Sequence, residues 1–330
     1  MSFRLLSKFK RHFARAQPFS IEQFIGDCRD NMRHVTSSKK LRRCWGVEFK
    51  PMVLDREEVN AGVARLDQGQ FLIYLNIGLL KACYKFLLDP VCSYYERHED
   101  ALDVDAHLFA RMCLGACGLM AFWHEFAHAV RGHVEYKNVS GQLTDAGISE
   151  ASDRHRDLGE SATEGWIPWR IVELDADIFG AQFLLAQMAV VMSGNSNISV
   201  ATFAQCYAIG IRGLFHVLNG IGGVHDDATG STHPNSISRA YAAFAHGLAR
   251  LSEVQLSSAI QEKVSAAGYA ALLDFEVNDL KMIVDPTVLA RFSETEIDLW
   301  REREQELIQY ELPRHDTPEH TPFNKLTDGV

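Results

Sequence analysis

Apolar residues recur along this chain with two periods, and the change from one to the other divides it. In the first 16 residues Phe3, Leu6, Phe9 and Phe13 fall at helical spacing between Arg4, Lys8, Lys10, Arg11 and Arg15, with no acid. That predicts a basic amphipathic helix. From Cys44 the pattern alternates: Trp45, Val47, Phe49 and Val53 share one parity, and residues 61–65 and 70–75 flank the turn-like Asp67-Gln68-Gly69. A small antiparallel sheet with a hairpin is predicted there. Helical periodicity returns after Asn76, which is suited to cap a helix over 77–88 that Asp89-Pro90 stops. An acidic loop over 96–105 leads into a long apolar helix over 106–132. The polar stretch 137–165, with Asp153-Arg154-His155-Arg156-Asp157, reads as an exposed loop. Beyond Pro168, helices are predicted over 169–192, 199–220, 234–252, 257–274 and 294–310. The expected fold class is α+β, predominantly helical with a small antiparallel sheet near the N-terminus. The expected organisation is the basic helix within residues 1–20, one domain over 21–312 with a helical C-terminal extension, and a disordered tail over 313–330.

Composition narrows the classes. With 330 residues, 47% of them hydrophobic, the chain is long enough to bury a full core, and whole-chain disorder is excluded. Thirty-three Lys and Arg stand against 43 Asp and Glu, a formal charge of -10, so the cationic field that a phosphate-tracking protein needs is missing and nucleic acid is not an expected partner. Seven cysteines form an odd, scattered set, which reads as reduced buried thiols. No signal-peptide pattern opens the chain, and its longest apolar runs are broken by Gln182, Gln187, Gln205, Arg212 and His216. A cytoplasmic location without transmembrane spans is therefore expected. The basic helix over residues 1–16 is compatible with docking on its own domain, with peripheral membrane or partner contact, and with a transit peptide.

The chemistry concentrates in Phe122-Trp123-His124-Glu125-Phe126-Ala127-His128, an H-E-x-x-H. Histidines four apart share a helix face, so both imidazoles can reach one tetrahedral Zn²⁺. Glu125, about 100° further round the helix, can act as general base on a water bound to that metal. A third protein ligand is needed. His133 stands nine residues after His124 and would require a chain reversal at Gly132; the metzincin positions for a third histidine and its glycine hold Val134 and Arg131 instead. Glu173 and Asp177 are again four apart at the start of a predicted helix. One of them can bind metal while the other accepts a hydrogen bond from a ligand histidine's second nitrogen. Cys113 and Cys117 read as core, and His216, His225 and His246 as structural residues.

An H-E-x-x-H followed 45 residues later by Glu173-Leu174-Asp175-Ala176-Asp177 resembles the gluzincin metallopeptidases. The continuation into Ile178-Phe179-Gly180-Ala181 is similar to the HtpX and CAAX-prenyl-protease group, and Ser231-Thr232-His233-Pro234 with Arg239 resembles the His-Pro and downstream Arg of that group. Gly132-His133 after the helix and the absence of membrane spans also resemble the soluble Lit-type phage-exclusion peptidases. The resemblance covers residues from about 60 to 250 and departs from the HtpX type in lacking its spans. It implies a zincin-like domain with Zn²⁺ on His124, His128 and Glu173, and with Asp177 and Arg239 behind them. His233 would contact the substrate carbonyl, although His233-Pro234 also reads as a plain helix start. It also implies that an edge strand over 70–75 pairs with extended peptide. The expected activity is zinc-dependent endopeptidase cleavage of a cytosolic protein. The alternative is a non-catalytic regulatory or binding protein on a gluzincin scaffold, acting through its basic N-terminal helix. A purely structural zinc site fits less well, because such sites are closed four-ligand sets rich in cysteine.

Overall fold

A computed structural model describes residues 19–67, 69–139, 147–149, 169–193, 197–222, 236–249, 258–282 and 286–312. The basic helix over 1–16, the stretch 153–157, His225, the His233-Pro234 pair and the tail from Pro313 lie outside the described residues.

Two helices precede the sheet, α1 (Ile21–Thr36) and α2 (Lys39–Trp45). The Ser20 side chain caps α1 by accepting from Gln23 N at 3.1 Å, and Phe24, Ile25, Cys28, Met32 and Val35 form its buried face. Trp45, which the alternating pattern assigns to a strand, ends α2, where Gly46 takes the left-handed conformation at φ 64°.

The strands are β1 (Glu48–Leu54), β2 (Ala61–Asp67), β3 (Gln70–Asn76) and the short β4 (Gly147–Ser149), in the order β1-β3-β2-β4. The β2–β3 hairpin is antiparallel, with Val63 opposite Ile73. However, β1 joins β3 in parallel, Phe49 beside Phe71, so the sheet is mixed rather than wholly antiparallel. Alternation of apolar residues fixes which face of a strand is buried and is silent on the direction of its neighbour. The strand over 70–75 is also not an edge, since β3 is paired on both sides.

Asn76 leads into α3 (Ile77–His98). This helix runs through Pro90 instead of stopping there. Proline removes the bond to the carbonyl of Phe86, and Phe86 is half exposed, so water can satisfy that carbonyl. After a 3-10 turn, Asp105 caps α4 (Ala106–Val130), accepting from Leu108 N at 2.7 Å. By length and composition alone α4 could cross a membrane. Its surface is occupied: from Ala116 onward every side chain or glycine is buried.

The remaining helices are α5 (His133–Val139), α6 (Trp169–Ser193), α7 (Val200–Gly222), α8 (Ser236–Ala249), α9 (Ser258–Asp274) and α10 (Pro286–Ile308); a π-turn, Phe275–Asp279, follows α9. They build a helical layer around α4, which also packs on the sheet. The α4–α6 approach is backbone to backbone. A Cβ on Gly180 would lie 2.9 Å from His124 N and 3.0 Å from His124 Cα. This closeness brings Glu173, two turns earlier on α6, within reach of the histidines on α4.

Candidate metal centre

His124 and His128 project from one face of α4, and Glu173 meets them from α6. His124 Nε2 lies 3.0 Å from His128 Nε2, and the Glu173 oxygens lie 3.4 Å from His124 Nε2 and 3.5 Å from His128 Nε2. In a tetrahedral site with bonds of about 2.0–2.1 Å, two ligand atoms stand about 3.3–3.4 Å apart. Each histidine nitrogen thus stands at about that spacing from one oxygen of the Glu173 carboxylate, Oε2 for His124 and Oε1 for His128, and the cluster could hold a metal ion. All three residues are buried.

The partners behind the ligands decide where the protons are. His124 Nδ1 is 2.8 Å from Asp177 Oδ1; a carboxylate only accepts, so Nδ1 carries a proton and Nε2 faces the cluster. Asp177 is itself gripped by Arg239, whose Nε and Nη2 donate to its oxygens at 2.6 and 2.9 Å, while Nη2 also reaches Glu173 Oε2 at 3.4 Å. The guanidinium lies 4.8 Å over the Phe215 ring. Arg239 thus fixes both carboxylates at once.

Electrostatics at this point favour a cation. Burial alone would discharge His124, yet Asp177 and Glu173 hold its pKa well above the ordinary imidazole value. His128 is held well below it, by burial and then by His124, His133 and Lys137, although Glu173 pulls the other way. A proton on His124 supplies positive charge beside Glu173, and a metal ion taking both Nε2 lone pairs would displace that proton and supply it instead.

Glu125 is buried next to this cluster, and its side chain joins His124 and Arg239 in bordering a small cavity otherwise walled by apolar residues such as Ala61, Ala121 and Phe215. Of the residues singled out from sequence, His124, Glu125, His128, Glu173, Asp177 and Arg239 are brought together; His233 lies outside the described residues.

A second polar cluster sits on the far side of His128. Gly132, at φ 73°, reverses the chain after α4, so His133 opens α5 and comes back to face His128, its Nδ1 2.9 Å from His128 Nδ1. His133 Nε2 is 3.0 Å from Asp175 Oδ2. Asp175 also accepts from Arg131 Nε and Nη2 at 2.8 and 3.1 Å and from Trp300 Nε1 at 2.8 Å. Burial would raise the Asp175 pKa, but Arg131 and His133 hold it far below the usual carboxylate range. Asp175 was not legible as a site residue, since its partners lie 42 to 125 positions away. The helix-reversing Gly132 was the available signal for His133.

No protein-family model, curated protein or solved structure matches the chain. The functional reading rests on the site itself.

Proposed function

We propose that this chain is a zinc-dependent peptidase of gluzincin type that hydrolyses peptide bonds in cytoplasmic protein substrates. One observation carries the reading: two imidazole nitrogens and one carboxylate converge at 3.0 to 3.5 Å, and Glu125, next to His124 on the helix, lines a small cavity together with His124 and Arg239. His124, His128 and Glu173 would hold the ion, a two-nitrogen, one-oxygen set that matches catalytic rather than structural zinc. Zinc, when bound there, supplies Lewis acidity toward a carbonyl and lowers the pKa of water.

The chain's own groups do the rest. Asp177 keeps the His124 proton on Nδ1, and Arg239 holds the Asp177 and Glu173 carboxylates in place. Glu125 takes a proton from the attacking water and passes it to the departing amine nitrogen. Its apolar surroundings strengthen each charge that develops there. The formal charge of -10 disfavours a nucleic-acid substrate and fits a protein one.

The test compares wild type with Glu125→Gln in cells, mapping newly formed protein N-termini. Wild type should generate new termini that the variant does not, while both purified proteins carry one equivalent of zinc. Equal termini in both would overturn Glu125 as the base. Metal-free protein whose stability ignores chelator would favour the binding-scaffold alternative.

A further inference from the structure

Resting on the metal-site reading above, we propose that His133 and Asp175 form a positioning relay for the ligand imidazole of His128, and that the C-terminal helix α10 closes the relay through Trp300.

With His133 neutral, the acceptors along this chain of contacts set the direction of each bond. Asp175 oxygens accept only, and each receives two donors: Oδ2 from Arg131 Nε and His133 Nε2, Oδ1 from Arg131 Nη2 and Trp300 Nε1. A neutral imidazole has one N–H, so His133 spends it on Asp175 and turns the Nδ1 lone pair toward His128. His128 Nδ1 must then be the donor across their 2.9 Å contact. Its Nε2 lone pair is left aimed at the point that His124 Nε2 and Glu173 share. Asp177 does the same for His124 from the other side. Both ligand histidines therefore have their tautomer set from behind.

The relay also depends on distant sequence. Trp300 lies 125 positions after Asp175, and Glu304 and Glu311 stand 3.7 and 3.2 Å from Arg131. Leu312 N donates to Val130 O at 3.0 Å, and a Cβ on Gly132 would meet Tyr310 O at 1.7 Å. Residues Tyr310 and Leu312 are thus seated on the turn that aims His133. Losing one partner behind a ligand histidine commonly costs 10–100-fold in metal affinity.

The experiment is zinc affinity of the full-length protein, measured by competition with a chromophoric chelator. His133→Phe should raise the Kd for zinc about 10–100-fold, and His133→Asn, whose side-chain oxygen can replace the Nδ1 acceptor, should recover most of it. Trp300→Phe, which removes the N–H donated to Asp175, should raise Kd several-fold while the metal-free protein still melts cooperatively. In nitrogen-15 spectra of the zinc form, the exchange-protected Nδ1–H of His128 should be lost in His133→Phe. Wild-type affinity in His133→Phe and Trp300→Phe overturns the relay while leaving the metal site standing. If His133→Phe does not fold, an unchanged Kd in Trp300→Phe overturns it alone. Failure of wild type to bind zinc overturns both the relay and the proposed function.

Discussion

Single residues in this protein are legible or hidden according to helix phase. His124 and His128, like Glu173 and Asp177, are four apart and share a face, so their meeting could be expected from spacing alone. Asp175 lies between the second pair, about 200° round the helix from Glu173, and serves His133 instead. Its burial with Arg131 makes it a sensitive position. Asp175→Asn should cost about 2–4 kcal/mol at pH 7, somewhat less than the full loss of a buried ion-pair partner because Glu311 remains 3.2 Å from Arg131. The sign of its pH dependence follows from the depressed pKa. The Asp175 contribution is fully present above the unfolded carboxylate value of about 4 and is lost as pH falls below it. Urea melts of both proteins should therefore differ at pH 7, with a gap that begins to narrow below about pH 4 and closes only once Asp175 protonates in the folded protein; a gap independent of pH would contradict the ion pair. Thiols give a second check. All seven cysteines are buried and free, and burial pushes the thiols of Cys28, Cys92, Cys113 and Cys117 upward. Native protein at pH 8 should leave them unlabelled by a thiol-reactive dye, with seven reacting after denaturation.

At the scale of elements, the long apolar helices were foreseeable because a buried helix writes its period over many turns. Departures occurred where a local signal is overridden or shared. Pro90 did not end α3, since the carbonyl it orphans is on a half-exposed turn. Helix α1 escaped the periodicity reading, although Ser20 and Gln23 stand at the spacing of a capping box and Ser20 does cap it. The direction of β1 could not be read because its partner β3 follows a hairpin later in sequence. Neither could the closeness of α4 and α6, which depends on Gly180 having no side chain. Gly180→Ala should force these helices apart, costing about 1–3 kcal/mol and weakening zinc binding by separating Glu173 from the histidines. Calorimetry and chelator competition on one preparation would check both effects. A variant that melts and binds like wild type would show that the helices can yield without disturbing the site.

Across the whole molecule, the site draws on four helices far apart in sequence: α4 and α6 supply the cluster that could hold a metal ion, α8 supplies Arg239 and α10 supplies Trp300. Sequence motifs flagged the first three, whereas nothing in the pattern of residues 286–312 pointed to the centre. Folding and metal binding should therefore be linked. At 100 times the Kd, zinc would add about 2.7 kcal/mol, or roughly 4 °C of melting temperature for a chain of this length, which chelator should remove. The most direct test is a zinc titration of metal-stripped full-length protein by isothermal calorimetry. One equivalent should bind wild type, and neither His128→Ala nor Glu173→Ala should saturate at the same concentrations. Absence of binding to wild type, or one equivalent retained in both variants, would contradict a metal centre built from His124, His128 and Glu173.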